Sequence, residues 1–506
     1  MDDRLREFGG VPGYEFDVPG AYGRPGPVVG GGGPPRQTWP QEPAGNPAWP
    51  VRSQLPQDDQ SAGPGRPTLL ARETLAAMRA RNWLTSLAAP VLAAVAVGVA
   101  GVLLVGANNG GGAAAPSALA AGFPPAQSAA ADFGGGGLPV EVSAIAAAGA
   151  TEVAVGSANR GGALWVSADG GSTWHRGALT PPAAGGASAG QLAGVAHGPS
   201  GWLAVGGDST ATTGTTAMSP AVVGSPDGRT WTVTGSPAAF GGPGRIVTAA
   251  VAAGPGGYVI VGKASTGTRT VAAAWYAPGL TGWRRAADAR PGALDGAGNR
   301  AMNAVSATSR GFVAVGAVGR RPAAWVSGTG RTWTLVTLAL PADATSAALD
   351  YVAANGGTVA AVGTEVTAAG QRRPFAAVST DAGATWTQAQ LPLPLGGSSA
   401  AGASAAGASA TALTAAGGGF TATGTYGLPG QTDVVIWTLP GGAAGGAAWT
   451  EVAPPGTGLA GPGMQAITAL TATGATLTGV GFTATSAARS ASMLTEPTIW
   501  QSPVRS

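Results

Sequence analysis

No cysteine occurs among the 506 residues, which excludes disulfides and thiol chemistry. The two histidines, His175 and His197, fall in different repeats and form no cluster, which sets aside a histidine-based zinc site and a Ser–His–Asp triad. No metal or cofactor is expected. Charge is sparse as well: 10% of residues are Asp, Glu, Lys or Arg, and a net charge of +3 is too small to call for a nucleic-acid partner. Apart from one stretch near residue 95, the apolar runs are about five residues long and bounded by Gly, Pro, Ser and Asp, too short for amphipathic helices.

Those short runs recur as a unit that can be traced seven times between Val140 and Ser506. Each unit opens with a run such as Val142–Ile145, Ile246–Ala249 or Ile467–Leu470. A second run ends in Val-Gly or its equivalent: Val153–Gly156, Leu203–Gly206, Val259–Gly262, Val313–Gly316, Ala360–Gly363, Thr421–Gly424 and Leu477–Gly481. The third run usually carries a tryptophan, namely Trp165, Trp275, Trp325, Trp437 or Trp500. The fourth has its own in Trp174, Trp231, Trp283, Trp333, Trp386 and Trp449, so eleven of the fifteen tryptophans occupy two repeat positions.

Four strand-like runs per unit, at a period of about fifty residues, specify an all-β fold: a seven-bladed β-propeller of four-stranded antiparallel blades. A lone blade has two apolar faces and can bury neither. Stacking blades around an axis buries both, with tryptophans filling the wedges. A pair of sandwiches, the rival arrangement, gives no reason for the tryptophan register.

The turn before the fourth run carries a family resemblance. Ser167-Ala-Asp169-Gly-Gly171-Ser-Thr173-Trp174 and Ser379-Thr-Asp381-Ala-Gly383-Ala-Thr385-Trp386 resemble the Asp-box, the bacterial neuraminidase repeat. Ser225-Pro-Asp227-Gly-Arg-Thr230-Trp231 is one residue shorter, and Ser327-Gly-Thr-Gly330-Arg-Thr332-Trp333 has lost its Asp. An Asp carboxylate in such a turn accepts hydrogen bonds from its own backbone, and Gly permits positive φ. Asp169, Asp227 and Asp381, with Trp174, Trp231, Trp333 and Trp386, are therefore expected to be structural.

The resemblance covers roughly the last 370 residues and implies a sialidase-like propeller, a fold shared by glycan-active enzymes and by propellers that only bind. Sialidases also use a Phe/Tyr-Arg-Ile-Pro motif, an arginine triad, a tyrosine nucleophile and acidic partners. The nearest string, Gly244-Arg245-Ile246-Val247, lacks both the aromatic and the proline. Tyr258 and Tyr351 lie inside strand-like runs and read as core or flank residues, with Tyr276 and Tyr426 the other tyrosines of the repeat region. No catalytic residue is assigned.

The last unit runs through its third strand at Thr498–Gln501 and reaches Ser506 without a fourth. An open ring would expose strand edges. The segment from about Ala126 to Phe133 is the candidate for the missing strand, with Phe133 or Phe123 replacing the tryptophan.

Ahead of the repeats the chain changes character. Residues 1–66 are rich in Pro, Gly, Gln and charge without apolar periodicity, as in a disordered tail. Residues 67–83 suggest a juxtamembrane helix. Residues 84–107 are uncharged and rich in Ala, Val and Leu; about twenty-three helical residues span the ~30 Å core of a lipid bilayer. Residues 108–125 form an Ala/Gly-rich linker, and 126–506 the propeller. Arg66, Arg72, Arg79 and Arg81 precede the span, so the positive-inside rule places the N-terminus in the cytoplasm and the propeller outside, anchored by a single pass in the cell membrane. A cleaved signal peptide is the alternative, disfavoured by an n-region of about eighty residues. The Gly/Ala/Ser-rich stretches 181–190, 396–410 and 441–448 read as interblade loops.

All the basic residues but Lys263 are arginines, and this bias, with abundant Ala and Gly, resembles chains from GC-rich genomes such as those of actinobacteria. The connection between second and third runs, on the face opposite the boxes, carries arginine in five units: Arg160, Arg269, Arg320 with Arg321, Arg372 with Arg373, and Arg489. Asp208 and Asp433 stand there in the other two. Several guanidinium groups on one rim would suit an anionic envelope glycan or a protein partner; loop charge serving solubility is the competing reading. Three classes follow: a membrane-anchored, extracytoplasmic recognition or scaffold module for a glycan, peptide or protein; a sialidase-like enzyme; or a transmembrane sensor with a cytoplasmic partner.

Overall fold

The computed structural model describes residues 127–128, 140–159, 161–180, 189–208, 219–234, 239–241, 244–393, 407–428, 431–442, 449–452, 459–461, 463–474, 476–486 and 493–503. The tail, juxtamembrane segment, expected span and linker (1–125) lie outside them, as do Phe123 and Phe133. The described residues contain no helix, and their strands form antiparallel four-stranded sheets in simple chain order. The first runs Val140–Ala148, Thr151–Ala158, Gly161–Ser167, His175–Arg176; the fifth runs Ala344–Asn355, Thr358–Thr367, Arg372–Ser379, Thr387–Gln390. A single bridge, Thr432 to Met464, joins the sixth sheet to the seventh.

Burial explains the hydropathy of each run. The second and third strands are covered on both faces, so Val153, Ala154 and Val155 in the one and Ala163, Leu164 and Trp165 in the other are all buried. First strands alternate more, because one side faces the axis. Each first strand packs on the next, and the last, Met464–Thr473, packs back on Val140–Ala148. Such a closed cycle of sheets is a β-propeller.

The core is divided among the seams between neighbouring sheets, one apolar cluster to each. Val205, Val222, Ile260 and Trp275 share one; Val259, Val261, Met302 and Trp325 share the next. Trp165, Trp231, Trp275, Trp325, Trp333, Trp437 and Trp500 are fully buried in these wedges. Trp231 and Trp333 lie within fourth strands, whereas Trp174, Trp283, Trp386 and Trp449 stand one residue ahead of theirs, at the end of the turn.

The Val-Gly signature has a cause that the sequence does not display. Every first strand carries a bulge, as between Val142 and Ala144, Thr248 and Ala250, or Ile467 and Ala469. The glycine of the second strand lies opposite it. A Cβ on Gly156, Gly262 or Gly481 would collide with the carbonyl oxygen of Glu141, Val247 or Ala466. Glycine is required there by close approach, not by φ.

Gln127 and Ser128 pair antiparallel with Ile499 and Thr498, so the segment before the first sheet supplies the outer edge of the last. Across that seam Thr468 Oγ1 donates to the Val142 carbonyl at 2.7 Å and Gln501 Nε2 to the Gly170 carbonyl at 2.7 Å. Elsewhere the chain leaving one sheet protects the outer edge of the next, as Ala178–Thr180 does by parallel pairing with Thr230–Thr232. One expectation needs correction. The insert read as reaching Ala410 ends earlier, because Gly407–Ala416 is a first strand, its small side chains alternating between intermediate and buried positions.

Candidate functional site

The two rims of the propeller differ in chemistry. Turns leaving the third strands make the box rim. In the first box Ser167 Oγ donates to Asp169 Oδ1 at 2.7 Å and accepts the Gly171 N–H at 2.8 Å. Asp169 accepts the Thr173 N–H at 2.8 Å and its hydroxyl at 2.7 Å. Trp174 Nε1 returns a bond to the Gly171 carbonyl at 2.9 Å. The box at Asp381 repeats this with Ser379, Thr385 and Trp386. In the shorter box Asp227 accepts from Arg229 and Thr230, while Gly228 donates to Ser225. Where Asp is missing, Gly330 N–H still donates to Ser327 Oγ and Trp333 Nε1 to the Gly330 carbonyl. The Ser–Gly–Trp frame is therefore the constant part.

These bonds hold the carboxyls low. The Thr173 N–H and hydroxyl, then the Ser167 hydroxyl, bring Asp169 down to about 2. Burial works against Asp381, yet the Thr385 and Ser379 donors outweigh it and also hold it at about 2. Each of these two carboxylates accepts three hydrogen bonds from its own turn.

The opposite rim is where third strands begin. Arg269, Arg321 and Arg372 are the first residues of Arg269–Ala277, Arg321–Ser327 and Arg372–Ser379, in three consecutive sheets. Arg320 precedes Arg321 in the turn and Arg373 follows Arg372; all five are exposed. Arg269 donates to the Gly296 carbonyl at 2.7 Å and Arg373 to Gln371 Oε1 at 3.2 Å. Arg160 and Arg489, and the side chain of Asp208, lie outside the described residues. Asp433 accepts the Gly461 N–H at 2.9 Å.

The sequence reading missed the acids interleaved with this rim. Glu365 is fully buried and accepts from Gln390 Nε2 at 3.0 Å, leaving Oε1 without a partner. Burial raises its pKa, opposed by the Gln390 bond and the Arg373 charge. Asp350, the extra residue of a bulge, accepts from Asn303 Nδ2 at 3.2 Å. Burial lifts it to about 7, against Arg372 and the Asn303 bond. Asp288 holds the loop below Arg269 by accepting the N–H groups of Gly292 and Leu294 at 2.9 and 2.7 Å. Arg300 is buried and donates to the carbonyls of Ala293 and Ala297. Asp350 and Glu365 were legible only as charges interrupting apolar runs.

The other residues singled out from sequence have structural contacts. Tyr258 donates its hydroxyl to the Gly201 carbonyl at 2.8 Å and accepts the Ser200 N–H, tying two sheets together. Tyr276 lies under the Arg331 guanidinium at 5.5 Å. Tyr351 and Tyr426 lie in the strands Ala344–Asn355 and Gly419–Leu428. His197 packs edge-on against Trp202 at 4.8 Å, and His175 is exposed.

No family model and no curated protein matches the sequence. Among solved structures, a YCF48 bound to D1 peptide is similar over 73% of this chain and 95% of its own, at 14% identity and a TM-score of 0.41. The endosialidase of phage phi92 is similar over 72% and 67%, at 11% identity and a TM-score of 0.40. The sialidase of Trypanosoma rangeli, in complex with the inhibitor DANA, is similar over 71% and 55%, at 12% identity and a TM-score of 0.33. At these scores the likenesses carry no argument about function.

Proposed function

We propose that this chain is a seven-bladed, sialidase-like propeller that acts as a recognition or scaffold module on the extracytoplasmic side of the cell membrane, held by a single span at 84–107. Its partner is a cell-envelope glycan, peptide or protein carrying negative charge, and it engages the rim that starts the third strands. The observation that carries this reading is the run of exposed arginines, Arg269, Arg320, Arg321, Arg372 and Arg373, on three successive sheets of one rim. A guanidinium fork matches carboxylate and phosphate groups in two bonds. The buried acids behind the arginines moderate the field without covering them. The boxes serve as folding devices on the far rim, since their carboxylates are engaged by donors of their own turns.

The test replaces Arg320, Arg321, Arg372 and Arg373 with Gln in the full-length protein and measures retention on immobilised polygalacturonate at low salt. The proposal expects the variant to elute at least about tenfold earlier in retention constant, a loss of about 1.4 kcal/mol. Retention equal to that of the parent overturns it.

A further inference from the structure

One charged side chain of the charged rim belongs to neither the arginine row nor the acids behind it. Lys263 is the single lysine of the chain. It follows the bulge glycine Gly262 in the strand Gly257–Thr266. The corresponding residues of the other sheets are Ser157, Gly207, Ala317, Thr364, Thr425 and Phe482. No other sheet places a charge in that row.

The surroundings are inhospitable to a lone ammonium. Side chains alternate along a strand, so Lys263 continues the row of Val259 and Val261, which are buried in the seam with the next sheet. Lys263 itself is half-buried, and its ammonium makes no hydrogen bond or ion pair among the described residues. Its strand neighbours are Val247 and Ala272. Two residues before Val247 stands Arg245, paired with Ser265 and therefore on the same face, at the diagonal spacing that brings long side chains together. Arg245 makes interactions of its own and adds a second positive charge. The next sheet contributes another cation at this end of the seam, Arg300; Asp288 and Asp295 act on Arg300 and not on Lys263. Burial first, then the Arg245 charge, lowers the Lys263 pKa.

A half-buried ammonium beside a guanidinium, with no carboxylate acting on it, leaves positive charge that a bound anion would offset. We propose that Lys263 and Arg245 form a binding site for a small oxyanion, a phosphate or a sugar carboxylate, at the seam between the third and fourth sheets. Lys263 supplies a point charge and three donors, and Arg245 a planar fork. The site stands independently of the arginine rim, because a free anion in solution can fill it.

The lone lysine makes the test direct. The full-length chain is treated with a limiting N-hydroxysuccinimide ester at constant pH and ionic strength in sodium chloride, sodium phosphate or sodium glucuronate, and acylation of Lys263 is followed by peptide mass spectrometry. The N-terminal amine is the internal control. Phosphate or glucuronate is expected to slow Lys263 acylation about threefold at twice its dissociation constant while the N-terminus is unaffected. Arg245→Gln should weaken that protection. Equal acylation of Lys263 in all three salts overturns the proposal. If Arg245→Gln fails to fold, Lys263→Gln decides: phosphate must raise the melting temperature of the parent and not of this variant, and an equal rise in both overturns the site. Neutralising Arg320, Arg321, Arg372 and Arg373 should leave the protection intact even where polymer retention is lost.

Discussion

Asp169 and Lys263 sit near opposite ends of the same kind of sheet and handle their charge in contrasting ways. Asp169 accepts three short hydrogen bonds from Ser167 and Thr173 within its own turn. The Lys263 ammonium has no hydrogen-bond or ion-pair partner among the described residues. The same contrast extends to the rims they belong to. Box turns close on themselves and anchor tryptophans, whereas the other rim exposes guanidiniums over buried acids. Regularity accompanies structure here, and the irregular charges are where we propose that a ligand is recognised.

Four changes would break or sharpen that comparison. The largest effect belongs to the box rim. Trp333 is fully buried and donates to the Gly330 carbonyl, so Trp333→Ala should lower unfolding stability by about 3–5 kcal/mol. Chemical denaturation measures it, and an unchanged midpoint would show that the tryptophan wedge is dispensable.

The second change concerns the seam between the first and last sheets. Glu152 is fully buried where the other sheets place Trp202, Tyr258, Phe312, Val359, Phe420 or Leu477. It accepts from Thr478 Oγ1 at 3.1 Å, and its second oxygen has no partner. Burial raises its pKa from 4.5 to about 7, with Thr478 opposing and Asp169 adding. The folded state therefore holds the proton more tightly than the unfolded state. The resulting stabilisation is complete below about pH 4.5 and is lost as pH rises through 7. Asp350 acts with the same sign. Stability should fall by on the order of 2–3 kcal/mol for Glu152 between pH 4.5 and 8, and Glu152→Gln should remove that share. A parent curve flat over this range would contradict the assignment.

Smaller effects separate the rims further. Exchanging Arg269 alone for Gln should reduce polygalacturonate retention about twofold to threefold without moving the melting temperature, because it adds one exposed contact of several. A drop in melting temperature with unchanged retention would make Arg269 a structural residue through its Gly296 bond. Asp381→Ala should lower the melting temperature by roughly 1–3 °C and leave retention untouched. Loss of retention in this variant would move the ligand to the box rim.

Much of the fold was legible because its signals are local. Trp165 and Trp231, the boxes and the strand lengths each follow from a few neighbouring residues, and the missing last strand pointed to the segment containing Gln127 and Ser128. The bulge opposite Gly156 was not legible, since it depends on which residue of another strand lies across. The site was less accessible for the same reason. Arg320 and Arg372 could be placed on one rim by counting strands. That Glu152 replaces an apolar side chain in a closing seam, or that Asp350 meets Asn303 and Lys263 stands near Arg245, emerges only when register and the order of sheets are known. Sequence spacing carries the repeat, and pairing carries the exceptions to it.

The central claim, that recognition belongs to the arginine rim and folding to the box rim, is tested most directly by a hydrogen-exchange footprint of the full-length protein with soluble polygalacturonate. The account predicts slowed exchange in the turns around Arg269, Arg320 and Arg372, and no change at Ser167–Trp174 or Ser379–Trp386. Protection confined to those boxes, with the arginine turns unaltered, would contradict it.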